Sequence, residues 1–343
     1  MFYYEGWWIY YMLLKLKHQF NMQVLKNKDS LMYKALVKLN LLLFHFTERE
    51  HKKKFGINNK ETTFYVIRVM GYEEGLLSIF NRVMQEIQYA KKKGYLPIVD
   101  IENYKTQYND AHQVNETYNM WEYYFTQPIK TSLEEVYSSH NVILSGWSFF
   151  KKNRCKDDIF NHHYSDLLNI ERKLFIKANI QIKEEVLNKA QEFEDIMFEK
   201  DVLGIFLRGT DYTGLKPKGH NIQPPVQDVI DKAKEYVGKY NIKKIFLVTE
   251  DYSVYAQFKN VFGGLVFCSD DDYIKEYEPK DYVAYYNKIN KTNYEKGLKY
   301  LIRLILLAKC DYLVTSLTNG SLFTLAIKQG EYKDKYIFNL GKY

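Results

Sequence analysis

A short apolar segment in the second half of the chain runs directly into a cationic loop. The apolar run at 202–207 predicts a buried strand, and the loop after it ends at Pro224 and Pro225. The side chains of this loop that can bind or react are Arg208, Thr210, Asp211, Lys216, Lys218 and His220. Open α/β sheets bind ligands at the carboxyl ends of their strands, and a guanidinium holds phosphate through paired hydrogen bonds. The stretch therefore predicts an anion site centred on Arg208; the alternative is a turn in which Arg208 pairs with Asp211.

Polar residues also follow two other predicted strands. Thr249, Glu250 and Asp251 end the strand at 243–249. The strand at 311–316 is joined to a helix by a segment whose polar and small residues are Ser316, Thr318, Asn319, Gly320 and Ser321. Strand ends of a parallel sheet share one edge, so we expect all three groups to face one ligand. Hydroxyls and N–H groups at a helix start bind anions, and carboxylates accept hydrogen bonds from a ribose or base. The alternative is that both groups only cap helices.

The first half contains a predicted βαβ unit. A strand at 64–70, a helix ending at Gly94 and a strand at 95–103 have the expected lengths. Gly75 at the helix start would let a ligand approach the backbone closely. Downstream, the segment NMWEYYFTQP predicts either a sugar-binding surface or core packing, and core packing is the commoner fate of such aromatics. For the surface alternative, the candidate acceptor ligands are Asp100, Glu102 and Trp121.

The pattern of elements predicts an α/β fold with three parts. Another strand is expected at 141–147 and charged helices at 157–200. After residue 202, strands and helices alternate to the end, which predicts a doubly wound parallel sheet. We therefore expect an appendage at 1–58, an acceptor-side domain at 59–198 and a ligand-binding Rossmann-like domain at 199–343.

The basic charge of the chain lies mostly in its first 55 residues. They hold ten Lys and Arg against four Asp and Glu, a net +6 of the total +7. Helices rich in Trp, Tyr and Lys can lie on an anionic membrane surface, or can pack against the body or a partner subunit. The apolar runs are too short to span a bilayer, and no signal-peptide cleavage site follows them. We expect a cytoplasmic protein with peripheral contact at the inner face of the membrane.

The cysteines and the absence of metal-binding and nucleic-acid-binding motifs exclude further classes of protein. The three cysteines, Cys155, Cys268 and Cys310, are far apart and odd in number, which is typical of reduced thiols. No Cys/His cluster has zinc-site spacing. No nucleic-acid-binding motif occurs, and the basic charge is confined to one end, so nucleic acid is not an expected partner.

Three consecutive aspartates, Asp270 to Asp272, allow a second kind of site. An Asp-x-Asp pattern can hold a divalent cation against a nucleotide diphosphate. The same run is common in solvated turns. We favour the turn and expect no metal, because cations at 208, 216 and 218 can neutralise a diphosphate instead.

Taken together, LRGTD, a strand ending in TED, and CDYLVTSLTNGSLFTLAI resemble GDP-fucose-dependent α-1,6-fucosyltransferases. That group shares a superfamily with protein O-fucosyltransferases. The resemblance covers most of the chain after residue 202, and GLLSIFNRVMQEIQYAKKKGYLPIVDIENYKTQYN resembles the first βαβ unit of the superfamily. NMWEYYFTQP is similar to a segment of bacterial polysaccharide-cluster members. The resemblance implies a GT-B fold, in which two Rossmann-like domains face a cleft, and inverting transfer without metal.

The resemblance also implies roles for individual residues. Arg208 would bind the β-phosphate, the acidic pair after Thr249 would lie near the guanosine, and residues 316–321 would line the diphosphate. Two positions depart from the family: its His is Phe206 here, and its proposed catalytic acid is Lys216. The catalytic base is therefore not transferable, and Asp211, His220 and Asp100 stay candidates, His220 having the most suitable intrinsic pKa.

The sequence thus predicts an enzyme that moves fucose from GDP-fucose to a glycan or lipid-linked glycan in surface polysaccharide synthesis. Its expected contribution is stabilisation of the leaving diphosphate by Arg208, helped by Lys216 or Lys218. The alternatives are a metal-dependent glycosyltransferase that uses Asp270–Asp272 and a non-catalytic protein that binds nucleotide sugars.

Overall fold

The computed structural model describes most of the chain after residue 48. The described residues are 49–69, 74–146, 158–161, 163–197, 201–209, 216, 218–270, 273–274 and 292–343. The chain divides into two compact units, residues 1–51 and 52–343. The predicted helices of the first 48 residues lie outside the described residues.

Four strands form the first sheet, in the order β1-β4-β2-β3. Their bounds are β1 His51–Lys53, β2 Asn58–Arg68, β3 Leu96–Asp100 and β4 Ser139–Leu144. The central strand β2 pairs in parallel with both β3 and β4. Three helices accompany this sheet: α1 Leu76–Lys92, α2 Met120–Tyr124 and α3 Leu133–Val136.

Two helices lead to the second sheet, α4 Asp166–Asn179 and α5 Glu184–Met197. The second sheet has five parallel strands in the order β7-β6-β5-β8-β9. These are β5 Val202–Phe206, β6 Lys244–Val248, β7 Val266–Phe267, β8 Tyr312–Ser316 and β9 Asp334–Phe338. The helices between them are α6 Val226–Tyr240, α7 Tyr252–Phe262, α8 Asn293–Lys309 and α9 Asn319–Ile327.

Successive side chains of a strand point to opposite faces of the sheet, so the core of the second sheet has two layers. Leu203 and Ile205 of β5 pack with α6 and α7 on one face, whereas Val202 and Phe206 pack with α8 and α9 on the other. The second layer is continuous with the apolar side chains of α1 and α2. A strand with both faces covered is apolar throughout, and β5 is fully buried. One core therefore joins the two sheets and fixes the ends of their strands relative to each other.

Polar contacts add to this shared core. Both carboxylate oxygens of Asp110 accept backbone N–H bonds at the start of α8, from Asn293 at 3.0 Å and Tyr294 at 2.8 Å. The Nδ2 of Asn81 on α1 donates to Oδ1 of Asn319 on α9 at 3.0 Å. Because α1 and α9 come from different sheets, this bond holds the second turn of α1 close to the start of α9.

The predicted α/β fold with parallel sheets is confirmed, including the alternation after residue 202. Pattern reading missed β1 and the polar first half of β2, which belong to the first sheet although residues 51–58 fall in the predicted appendage. Cys268 and Cys310 carry free thiols. Within the described part of the chain, no helix has the length and apolar character needed to cross a membrane.

Candidate functional site

Arg208 lies just beyond the carboxyl end of β5 and contacts the neighbouring strand end. Phe206 pairs with Val248 in the β5–β6 ladder, so the residues two positions further on, Arg208 and Glu250, are side by side. The Nε of Arg208 donates to Oε1 of Glu250 at 3.2 Å, and the two side chains are 23% and 17% exposed. The predicted pairing of Arg208 with Asp211 falls on a residue outside the described part of the chain. Partial exposure leaves this ion pair within reach of a ligand.

Asp251 caps the helix that follows. Its Oδ1 accepts the Ser253 N–H at 2.8 Å, its own N–H donates to Oγ1 of Thr249 at 3.2 Å, and it is 3% exposed. A Cβ on Gly209 would lie 2.4 Å from Oδ2 of Asp251, so only glycine fits between this cap and the start of the loop. The alternative of a helix cap therefore describes Asp251, whereas Glu250 is the more accessible of the two acids.

The start of α9 is closed by its own side chains. Thr318 and Ser321 form a reciprocal capping box, and both are buried. Ser316 donates to Oε1 of Gln223 at 2.6 Å, and a Cβ on Gly320 would meet the Phe206 ring at 2.7 Å. Asn319 is the half-buried residue of this group. The hydroxyls predicted to line a diphosphate thus have structural partners, and any anion contact here would come from the N–H groups of the first turn.

The start of α1 lies near Arg208, on the side of the first sheet. Gly75 precedes the helix, is exposed, and has open space where a side chain would be. The next N–H, of Leu76, donates to the hydroxyl of Tyr108 at 3.1 Å. Burial raises the pKa of Tyr108, and the Leu76 N–H and the positive charge of Arg208 partly offset this. Arg208 and the start of α1 therefore lie close to the same tyrosine, and a phosphate held by Arg208 could approach the backbone at the exposed Gly75.

The loop after Arg208 is described only in part. Thr210 and Asp211 lie outside the described residues, whereas Lys216, Lys218 and His220 are exposed. The backbone O of His220 accepts the N–H of Tyr343 at 3.0 Å, which fastens the end of the loop to the end of the chain. All three side chains are accessible to a ligand.

Asp270 forms an ion pair. Its Oδ2 accepts from Nε of Arg303 on α8 at 3.0 Å, and its other oxygen bonds the same guanidinium. Burial opposes the charge of Arg303, but the hydrogen bonds and charge of Asp270, with that of Glu250, raise its pKa above the ordinary value. Asp271 and Asp272 lie outside the described residues. Among the residues that are described, no three His, Cys, Asp or Glu side chains form a group that could hold a metal ion.

Two of the three candidate acceptor ligands are buried, which corrects their place on an acceptor surface; for Trp121 the alternative of core packing describes the structure. Trp121 is 1% exposed and packs against Phe80 and Phe125, because burial of its large apolar ring outweighs an exposed position. Asp100 is 0% exposed and accepts a 2.5 Å bond from the Tyr137 hydroxyl. Neither side chain reaches solvent in this packing. Glu102 is half-buried and stays a candidate.

The residues that sequence reasoning missed are Tyr108, Arg303 and Asn81. Tyr108 lies in a loop with no periodic pattern, and it meets Leu76 only through the fold. Arg303 had a usable signal, since a single arginine in the apolar run LIRLILLA must find a partner when it is buried. Asn81 gave the same kind of signal on the apolar face of α1, where it is 8% exposed.

No protein-family model matches this chain, and no curated protein matches it in sequence. In structure the chain is similar to NodZ alpha-1,6-fucosyltransferase soaked with GDP-fucose, at 17% identity and a TM-score of 0.44, over 78% of this chain and 92% of that one. Fucosyltransferase NodZ from Bradyrhizobium gives the same values. The chain is also similar to POFUT1 in complex with GDP-fucose, at 9% identity and a TM-score of 0.45, over 82% of this chain and 99% of that one.

Proposed function

We propose that this chain is an inverting glycosyltransferase of the GT-B type that transfers fucose from GDP-fucose to a glycan acceptor. The observation that carries the proposal is the place of Arg208. It lies at the carboxyl end of the central strand of a parallel sheet, is held by Glu250, and is near the start of α1, where Gly75 is exposed. The motif order LRGTD, TED and TSLTNGS, which resembles the fucosyltransferases, supports the same donor.

Arg208 would act on the leaving group. Transfer of a sugar from a nucleotide diphosphate builds negative charge on the departing diphosphate. A guanidinium that is already oriented by a carboxylate can stabilise that charge without further reorganisation. The N–H groups of Asn319 and Gly320 at the start of α9, which precede those that bond Thr318, would add neutral donors to the same group.

Glu250 would contact the base of the nucleotide. Guanine presents N1–H and N2–H donors, and Glu250 is the carboxylate of the pair that is not used as a helix cap. Uracil has one such N–H, so a site built for guanine would leave an acceptor unpaired. The preference for GDP over UDP is therefore part of the proposal.

Two of the three candidates for the catalytic base, Asp211 and His220, lie in the loop after Arg208. Asp100 is sealed from solvent, so it is a poor choice for deprotonating an acceptor hydroxyl. His220 is exposed and has an intrinsic pKa near neutrality, and Asp211 shares its loop. We propose His220 first, with Asp211 as the alternative.

The metal-dependent alternative receives no support from Asp270, because Arg303 occupies both oxygens of that carboxylate. A non-catalytic nucleotide-sugar-binding protein is the second candidate. The observation in its favour is that Phe206, where the resembled family has His, is buried against Gly320.

The membrane proposal rests on sequence alone. We propose that residues 1–55 bring the enzyme to a lipid-linked acceptor in surface polysaccharide synthesis, because most of the net charge lies there among Trp, Tyr and Leu. Flotation with liposomes containing an anionic lipid checks this against a chain that begins at residue 56. Equal flotation of the two chains would rule the proposal out.

Calorimetric titration of GDP and UDP, followed by assay of GDP-fucose hydrolysis and of transfer to chitin oligomers, tests the function. We expect GDP to bind more tightly than UDP by at least about tenfold. Equal affinities would remove the fucosyltransferase assignment. GDP binding without turnover, in the presence of acceptors, would favour the non-catalytic candidate.

A further inference from the structure

Helix α4 buries three polar side chains and exposes three large aliphatic ones, which is unusual for a surface helix. Its outward side carries three large aliphatic residues: Leu167 is 67% exposed, Ile170 51% and Leu174 63%. Steps of three and four residues place them on a single stripe. Its inward side is formed by four buried residues, which are Asn169, Arg172, Ile176 and Asn179.

Hydrogen bonds fix this orientation. The Nη2 of Arg172 donates to the backbone O of Asn161 at 2.8 Å and of His163 at 2.6 Å. The Nδ2 of Asn169 donates to the backbone O of Leu325 on α9 at 3.3 Å. Turning the helix to bury the aliphatic stripe would break these bonds and leave a buried guanidinium without partners, which is more costly than the exposure. The stripe is therefore a lasting feature of the surface.

We propose that two copies of this chain associate through this stripe, with α4 of one copy antiparallel to α4 of the other. The stripe is nearly symmetric about Ile170, with Leu167 three positions before it and Leu174 four positions after it. In an antiparallel pair with Leu167 of one copy opposite Leu174 of its partner, the two-fold axis passes between positions 170 and 171, and the two Ile170 side chains lie beside it. The helix dipoles are also opposed favourably in this arrangement.

Charges beside the stripe point to the same orientation. Asp166 and Lys177 lie on one flank at opposite ends of the helix, so antiparallel pairing brings Asp166 of each copy near Lys177 of the other. Oδ1 of Asp166 also bonds Lys335 at 2.9 Å and the Tyr164 hydroxyl at 2.7 Å, and the Asp166 side chain stays 75% exposed at this surface. Glu171 lies on the other flank, close to the two-fold axis, and meets its own counterpart. That like-charge contact weakens the dimer and offers a way to test the geometry.

The expected dimer is concentration-dependent. A single helix seam buries less than the roughly 1,600 Å² of a standard stable interface. The proposal does not rest on the proposed function and would hold for a protein of any activity. Its location still matters for the site, because Asn169 links α4 directly to α9, whose first turn is near Arg208.

Sedimentation velocity of the full chain over a concentration series tests the proposal. We expect a monomer–dimer equilibrium that Ile170→Glu and Leu174→Glu each weaken by at least about tenfold. Leu187→Glu, at a leucine 43% exposed on α5, is the matched control and should change nothing. Glu171→Gln should tighten the dimer by about twofold. Circular dichroism and thermal melting show whether each variant is folded.

A monomer at every concentration would overturn the proposal, as would a dimer that Ile170→Glu leaves intact or that Leu187→Glu weakens equally. Cysteine cross-linking tests the orientation in a background with Cys155→Ser and Cys268→Ser. Mixing Leu167→Cys with Leu174→Cys chains should give mainly the mixed disulfide. A predominance of 167–167 cross-links would mean parallel helices and would overturn the antiparallel arrangement.

Discussion

The two sheets place similar residues at their carboxyl edges and use them differently. Arg68 ends the central strand of the first sheet and is in register with Asp100, just as Arg208 and Glu250 are neighbours in the second. Arg68 is 5% exposed and Asp100 0%, whereas Arg208 and Glu250 stay partly exposed. An arginine beside a carboxylate at a strand end is therefore no sign of a binding site until its exposure is known.

The first edge is sealed by side chains from several elements. Arg68 donates through Nε to the backbone O of Ser145 at 2.8 Å and lies over the ring of Tyr104 at 5.1 Å. Tyr137 closes the other side by bonding Asp100. At the second edge, the side chains of Arg208 and Glu250 keep 23% and 17% of their surface exposed. The comparison predicts that substitutions at the first edge reduce stability, and those at the second reduce ligand binding.

The largest effect is expected for Arg208→Ala. Loss of a charge-assisted phosphate contact should cost on the order of 2–4 kcal/mol of transition-state stabilisation, which is roughly 30- to 1,000-fold in kcat/KM. The melting temperature should change little, because the side chain is at the open edge. Steady-state kinetics with GDP-fucose and a thermal melt check both. Near-normal turnover in a folded variant would remove Arg208 from the site.

The sealed edge should respond to Asp100→Asn with a loss of stability. Both carboxylate oxygens accept hydrogen bonds, from Glu102 N at 3.2 Å, Asn103 N at 2.9 Å, Asn103 Nδ2 at 3.0 Å and the Tyr137 hydroxyl. The Asn side chain has one acceptor oxygen, and its NH2 group would face the donors that bond the second carboxylate oxygen of Asp100. We expect the free energy of unfolding to fall by about 1–3 kcal/mol, measured by urea denaturation. A loss of GDP affinity without loss of stability would contradict the comparison.

The same substitution should change the pH dependence of stability. Burial raises the pKa of Asp100 above its ordinary 3.8, although its hydrogen bonds oppose this. A carboxyl whose pKa is raised by folding stabilises the protein fully below its unfolded pKa, and this contribution is lost as pH rises through the folded pKa. The difference in unfolding free energy between wild type and Asp100→Asn should therefore shrink as pH rises. A difference that grows with pH would contradict this assignment.

A smaller effect on nucleotide binding is expected for Glu250→Gln, and it distinguishes two roles of Glu250. If Glu250 accepts guanine donors, Glu250→Gln should reduce the preference for GDP over UDP by about tenfold, with UDP affinity nearly unchanged. Asp251→Asn, at the buried helix cap, is the control and should leave the ratio unaltered. Calorimetric titration of both nucleotides measures this. Equal weakening of GDP and UDP by Glu250→Gln would show that Glu250 only orients Arg208.

A chelator is expected to leave transfer activity unchanged. Arg303 pairs with Asp270 beyond the end of β7, and the other cations of this edge can face a diphosphate directly. Transfer activity should be the same with and without EDTA. Loss of activity that Mn²⁺ or Mg²⁺ restores would support a metal site in Asp270–Asp272.

Sequence reasoning located the open edge better than it located the sealed one. Arg208, Glu250 and Asp251 follow strands whose apolar runs are unmistakable, so their shared edge was predictable. The state of Asp100 was not, because it depends on Tyr137, 37 positions away, and on β4 pairing beside β2. The polar neighbours of Trp121 allow an acceptor surface and its apolar ring favours the core, and the structure has the ring in the core. Such outcomes depend on contacts between distant parts of the chain, which no local pattern records.

The carboxylate of Asp110 has a consequence for the order of assembly in the cell. It caps a helix whose first residue comes 183 positions later in the chain. At about 5–20 residues per second, a ribosome needs roughly 10–40 seconds to synthesise that interval. For most of this time all four strands of the first sheet have been made while Asp110 has no helix to cap, and the side chains of α1 that pack against α8 and α9 lack those partners. The protein therefore most needs protection from aggregation while only its first half has been synthesised. Synthesis of α8 ends this period.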